Sequence, residues 1–395
     1  MEYNFDKCIN RKGTNCEKWD GLKESFGRDD LLPMWVADMD FSAPPEIIAA
    51  LHKKVDEGAM GYPVMPDSLR DAVCSWEKEH YGWEFGREAV CWSPGVVTGL
   101  AFSVMGFTHP AEQVIIQTPV YNPFYRTIRE AGRIIVKNPL IRENGRYTMN
   151  FDELERIVTP TCRTMIFCSP HNPSSRVWSR EELERLADIA VRKDMLIISD
   201  EIHQDLVYSD ATHICIASLP HMSERTVTFV SASKTFNIAG LKASAAVIPD
   251  PRLRAVYLSV LERFHQNSLN ILGITAMETA YTKCGKWHAE LMKYLQESRD
   301  YTEKFIKERM PKAHMDHPEG TYIFWIDFRD YGFNDKTLRK FLADEAHVAL
   351  DPGTWFGTEG DGFARINIGT PRVLLKEGLN RIADALEARE NAKKR

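Results

Sequence analysis

The sequence predicts an α/β protein: a large domain built on a doubly wound, mostly parallel sheet, joined to a smaller α+β domain. Three observations predict it. Short apolar strands alternate with helical periodicity through the middle of the chain. Those strands are apolar throughout rather than alternating, as strands are when helices cover both faces of a sheet. After about Asp250 the texture changes to long helical patterns with few strands. At 395 residues the chain also exceeds a single core, which rarely grows past about 250–300 residues.

The elements follow in order. Residues 113–117 read as a strand, 124–132 as a short helix ending at Gly132, and 133–136 as a second strand. A strand at 164–168 leads to a helix at 180–193. Ser179 followed by Glu182 gives that helix a capping box. Strands at 195–199 and 226–230 complete the strand-helix-strand repetition of a doubly wound sheet. Beyond it, helices are predicted at 252–263, 269–283, 287–310, 336–346 and 374–389, with strands at 321–328 and 363–368. The link between the two parts is predicted to be a long helix, not a Gly/Pro hinge. Residues 392–395 read as a frayed basic tail.

Composition excludes several classes. The balance of 50 Lys+Arg against 56 Asp+Glu leaves a net charge of −6, which argues against a protein held to nucleic acid by phosphate contacts. No apolar run is long enough for a membrane span, and residues 1–15 have no apolar stretch of the kind a secretory signal needs. The 8 Cys are scattered and form no C-x-x-C pair, so reduced thiols in a cytoplasm are expected.

Three predicted strands end in polar residues of unusual character. Residues 164–168 run into Ser169-Pro170-His171-Asn172-Pro173, 195–199 into Asp200-Glu201-Ile202-His203, and 226–230 into Ser231-Ala232-Ser233-Lys234-Thr235. Ligands of open parallel sheets bind at the carboxyl ends of the strands, so Asn172, Asp200 and Lys234 are predicted to share one crevice. Such a trio suits a charged aromatic aldehyde. The Asp pairs with a ring N–H⁺, the Asn donates to a phenolate oxygen, and a desolvated Lys forms an imine. Pyridoxal phosphate has all three handles. Ser93-Pro94-Gly95-Val96-Val97-Thr98-Gly99 opens an apolar helix whose free N–H groups would cradle its phosphate, with Ser231, Ser233 and Lys242 adding hydroxyls and charge. Tyr121 follows the 113–117 strand and could stack on the ring.

Each feature alone has a plainer reading. Asp200 is a turn residue, Asn172-Pro173 a common turn, Lys234 one lysine among many, and Gly95–Gly99 a weak signal. Their placement at the ends of consecutive apolar strands changes the odds. Competing motifs fail. There is no G-x-G-x-x-G, P-loop, H-E-x-x-H or G-x-S-x-G. Ser231-Ala232-Ser233-Lys234 fits S-x-x-K, but neither K-T-G nor S-D-N accompanies it. His314 and His317 lie in a Pro-flanked loop without further ligands nearby, so no metal is expected.

At these residues the chain resembles the pyridoxal-phosphate enzymes of fold type I, in the class I/II aminotransferase superfamily. It is more narrowly similar to the cystathionine β-lyase and carbon–sulfur lyase branch. The likeness runs from Trp35-Val36-Ala37-Asp38-Met39-Asp40-Phe41 to Arg365-Ile366-Asn367-Ile368-Gly369-Thr370-Pro371-Arg372. It implies a small domain from residues 1–50 and 286–395 around a large domain at 51–285. It also implies roles: Lys234 for the imine and the Cα proton, Asp200 for the ring nitrogen, Asn172 for the ring oxygen, Tyr121 for stacking. Gly95, Val96, Val97, Ser231, Ser233 and Lys242 would surround the phosphate. Tyr62 would reach it from a neighbouring subunit, implying a homodimer. Arg365, with Val36 and Ala37, would bind substrate.

Two departures stand out. His203 takes the place where aminotransferases usually carry Tyr, which favours the lyase branch. Ser174-Ser175 replaces the usual Thr-Gly, so Ser175 must adopt a glycine-like conformation at a cost of about 1 kcal/mol. The activity implied is β-elimination of cystathionine, or of cysteine and its S-conjugates, to a thiol, pyruvate and ammonia. Tyr121 and Lys234 are the two candidates for the acid that protonates the thiolate. An aminotransferase is the first alternative, and a cofactor-bound regulatory scaffold the second.

Overall fold

The computed structural model describes residues 3–393. Seven strands form the main sheet. From edge to edge they are Val90–Ser93, Ser244–Val247, Thr226–Val230, Leu196–Asp200, Thr164–Cys168, Gln113–Ile116 and Ile134–Lys137. Ser244–Val247 is antiparallel to both of its neighbours; every other pairing is parallel. The predicted doubly wound, mostly parallel sheet is therefore present. Consecutive side chains feed two apolar layers. Val114, Ile116, Ile166 and Ile198 pack with Leu100 and Val104 of the helix Val96–Phe107 and with Leu261 of the helix Pro251–Arg263. Ile115, Met165, Phe167 and Ile197 pack on the opposite face with Leu183 and Leu186 of the helix Arg180–Arg192. That is why these strands read as continuous apolar runs.

The strands Val90–Ser93, at one edge, and Ser244–Val247, beside it, were not predicted. Each is only four residues long, and the small side chains of Ser244-Ala245-Ala246-Val247 give no apolar period. The Ser179 and Glu182 capping box closes as predicted, with Glu182 N donating to Ser179 Oγ at 3.2 Å. The basic tail is corrected: the last helix runs Arg372–Lys393, so 392 and 393 continue it, and 394–395 lie outside the described residues.

A second sheet of four strands, in the order His314–Met315, Ile323–Asp327, Phe363–Asn367 and Asp351–Pro352, follows the helix Gly285–Arg309. The N-terminal segment reaches across to this part, where Leu32–Pro33 pairs in parallel with Val348–Ala349. A buried charge node fixes its conformation. Asp40, 2% exposed, accepts from Lys18 at 2.6 Å, Arg11 at 2.9 Å and the Trp19 indole at 3.0 Å. No described helix is long and apolar enough to cross a membrane.

Candidate active site

The chain changes direction of winding between Gln113–Ile116 and Thr164–Cys168, and a crevice opens at the carboxyl ends of strands at such a point. A cavity of about 480 Å³ lies there. Its lining includes Tyr121, Asn172, Asp200, His203, Ser233, Lys234 and Lys242. The trio predicted from three strand ends is thus brought together.

Its floor is lined by buried ionisable groups. Asp200 closes its strand and is 5% exposed, and its recorded hydrogen-bond donor is the backbone N–H of Ile202 at 3.2 Å. Burial pushes its carboxyl up to about 7, against the opposing pull of that N–H and of Lys234. Lys234 sits in the short helix Ala232–Thr235, whose start is capped by the Ser231 hydroxyl. Its Nζ donates to Ala37 O at 2.7 Å, and burial lowers the ammonium's pKa. His203 is 3% exposed with Nδ1 lacking any partner. Burial, then the Lys234 and Arg365 charges, depress its pKa far enough to keep the imidazole neutral. Tyr121 is pushed up to about 12, mainly by burial, so it remains a neutral phenol.

Beside this floor lies the uncapped start of a helix, the kind of group that suits an anion. Gly95 precedes the helix Val96–Phe107 with φ 101° and ψ 149°, a conformation open to glycine alone. No side chain caps this helix, and its first N–H groups open beside Gly95, Val96, Val97 and Thr98 of the lining. Gly99 lets the helix press on the sheet, since a Cβ there would stand 2.2 Å from the Phe229 ring.

Arg365 arrives from the second sheet. It is 4% exposed and does not itself line the cavity, but its Nη1 donates to Asn172 Oδ1 at 3.0 Å. Asn172 Nδ2 is left to donate elsewhere. Arg365 Nη2 donates to Trp35 O at 3.1 Å and pairs with Asp351, while Nε has no partner. Asp351, whose carboxyl burial raises to about 6 against the pull of Arg365, escaped the sequence reading because Asp351-Pro352-Gly353 looks like an ordinary turn.

Other predicted residues stand apart. Ser231 does not line the cavity; its hydroxyl donates to Ala243 O at 2.8 Å and accepts from Ser233 N at 3.1 Å. The Val36 carbonyl accepts from Asn367 at 2.6 Å, whereas Ala37 is in the lining. Tyr62 is 106% exposed, outside the cavity of its own chain. Ser175 does take the left-handed conformation, φ 58°, and its hydroxyl bonds to Ile323 O. Asn172 still reaches the floor. Sequence reasoning also missed Glu17 in the lining, since it belongs to a segment remote from every strand end.

A family model described as aminotransferase class I and II matches residues 30–382. The chain belongs to that family. It is 43% identical over 385 residues to cystathionine beta-lyase PatB of Bacillus subtilis, covering 97% of this chain and 100% of that protein. Protein MalY of Escherichia coli is 32% identical over 389 residues, 98% of this chain and 99% of that one. Cystalysin from Treponema denticola, solved with its pyridoxal 5'-phosphate cofactor, superposes with a TM-score of 0.95 at 34% identity, covering 98% of this chain and 100% of that one. The PLP-bound C-S lyase from Staphylococcus hominis gives 0.90 at 34% identity, with 98% of each chain covered. The family's fold is therefore the one described above, and the family resemblance read in the sequence is borne out.

The residues present fit the cofactor named in those structures. Asp200 is a buried carboxylate with a single backbone donor, which a ring N–H⁺ would complete. The uncapped helix start beside Gly95 suits a phosphate. Lys234 is an amine already biased toward its neutral form.

Proposed function

We propose that the chain is a pyridoxal-phosphate-dependent carbon–sulfur β-lyase that cleaves L-cystathionine, or cysteine and its S-conjugates, to a thiol, pyruvate and ammonia. One observation carries the reading: a half-buried amine, Lys234, a buried carboxylate, Asp200, and a buried amide, Asn172, line one cavity beside a helix start free to hold phosphate. Full-length similarity to cystathionine beta-lyase PatB supports the choice among reactions this site could host.

Bound pyridoxal phosphate supplies an aldehyde for the substrate amine and an electron-withdrawing ring that stabilises charge at Cα. The protein does the rest. Asp200 accepts from the ring nitrogen and keeps its proton in place. Asn172 donates Nδ2 to the ring oxygen while its Oδ1 holds Arg365. Arg365 takes the substrate carboxylate, a task for which its planar fork is suited. Lys234 removes the Cα proton, its basicity lowered by burial. Tyr121 covers the ring, and as a neutral phenol it retains a proton for the departing thiolate. Gly95, Val96, Val97, Ser233 and Lys242 surround the phosphate, and Ser231 holds Ser233 in position.

Residues 1–50 and 286–395 are read as one small domain and 51–285 as the large one. The pairing of Leu32–Pro33 with Val348–Ala349 supports this division. A homodimer is proposed as well, with Tyr62 entering the neighbour's site; the exposed run of Met60, Tyr62 and Val64 supports it. None of the 8 cysteines is in a disulfide, as suits a reducing cytoplasm.

The test is product analysis with cystathionine and no added keto acid. Release of pyruvate, ammonia and a free thiol in equal amounts is expected. Turnover that requires 2-oxoglutarate would replace the lyase with an aminotransferase.

A further inference from the structure

The cavity floor is composed of buried groups: Cys168, Asn172, Asp200 and His203. Its rim carries two exposed charged side chains, Lys242 and Glu17. Lys242 directly precedes Ala243, another residue of the lining, and follows the strand-end segment that carries Ser233 and Lys234. Glu17 comes from elsewhere, the helix Glu17–Asp20 of the N-terminal segment. Nearby carboxylates are neutralised: Asp38 by Arg11, and Asp40 by Arg11 and Lys18. Glu17, in contrast, takes part in no ion pair among the described residues.

Glu17 is also well anchored. The next residue, Lys18, is 0% exposed and locked to Asp40 at 2.6 Å, and the Trp35 indole donates to Lys18 O at 2.8 Å. Burial is the leading influence on Lys234, Tyr121 and Asp351, lowering the first and raising the other two. The Glu17 charge acts upward on all three, so it lies within Coulomb range of the reactive amine and of Arg365's partner. A substrate with its carboxylate on Arg365 and its amine toward Lys234 has only its sulfur-linked tail left to pass the rim. Ala37, Tyr121 and Val97 offer that tail no charge.

We propose that Glu17 selects substrates by the charge beyond sulfur, favouring a thioether tail that carries an ammonium over one that ends in a carboxylate. The inference rests on the β-lyase reading and narrows its substrate class. An exposed ion pair of this kind changes relative rates about two- to fivefold. Screening by salt weakens it.

The test compares kcat/KM of the cofactor-loaded enzyme for S-(2-aminoethyl)-L-cysteine, S-(2-carboxyethyl)-L-cysteine and S-ethyl-L-cysteine. In Glu17→Gln the aminoethyl-to-carboxyethyl ratio falls about two- to fivefold, and in Glu17→Lys it falls further, while S-ethyl-L-cysteine changes little. Raising salt lowers the wild-type ratio and leaves that of Glu17→Gln flat. Calorimetric binding of L-lysine against L-norleucine, neither of which can lose a thiol, reads the same preference without turnover: the wild-type advantage for lysine shrinks in Glu17→Gln. Pyruvate formed with ratios unaltered by the substitution and by salt would overturn the inference alone. If no conjugate yields pyruvate, the lyase reading falls, and the substrate preference falls with it.

Discussion

Asn172, Asp200 and Lys234 leave the ends of three adjacent strands and are fixed by a sheet with apolar layers on both faces. Tyr62 lies in the opposite setting. It belongs to a stretch without regular structure between the helices Pro45–Asp56 and Asp67–Tyr81, where Met60 is 51% and Val64 88% exposed. The two regions are proposed to serve one phosphate-bearing cofactor, yet only the first is complete within a single chain. The difference teaches that rigid groups for chemistry come from strand termini, while a group delivered by an extended arm gains its order from whatever covers the arm.

The largest expected effect breaks the floor. Lys234→Ala should abolish the absorption change on adding amino acid and lower activity by about 10³-fold or more, since it removes both the nucleophile and the proton carrier. Retention of measurable β-elimination near the wild-type rate would refute the assignment of Lys234.

The next sharpens the electrostatics of that floor. Asp200 is raised to about 7 in the folded chain, so the native state binds a proton that the unfolded chain has already released above about pH 4. With cofactor removed, this group costs stability as pH rises from about 4 to 7, on the order of 4 kcal/mol by the end. Asp351, raised to about 6, acts in the same direction. Cofactor-free Asp200→Asn should therefore be the more stable protein at pH 8, with the gap closing toward pH 4. Urea unfolding at a series of pH values measures it; parallel curves for the two proteins would exclude the buried charge as the cause.

The smallest effect probes the arm. Tyr62→Phe removes one hydroxyl and should weaken cofactor retention about tenfold, the size of one hydrogen bond to a charged group. Sedimentation should give a dimer for both proteins. A monomer that binds cofactor as tightly as the wild type would end the proposed sharing of sites.

Much of this was legible in the sequence because period and position are local properties. The strand ends at Asn172, Asp200 and Lys234 could be read from apolar runs interrupted by polar residues. The strain at Ser175 followed from a missing glycine. What could not be read were contacts made across long separations. Asp351 meets Arg365 only after Asp351–Pro352 and Phe363–Asn367 pair, and Glu17 meets the cavity only after the Asp40 node folds the N-terminus back. Ser244–Val247 was hidden for a different reason, because four small residues carry too little apolar area to announce a strand.

The fold-back of residues 11–40 has a consequence for how such a protein can diverge. This strip is anchored through its own ion pairs and a two-residue strand, whereas Asn172, Asp200 and Lys234 belong to the sheet. Exchange of the strip between paralogues would alter the rim through side chains such as Glu17, while the contacts to Arg365 and Lys234 run through backbone carbonyls, at Trp35 and Ala37, that any residue supplies.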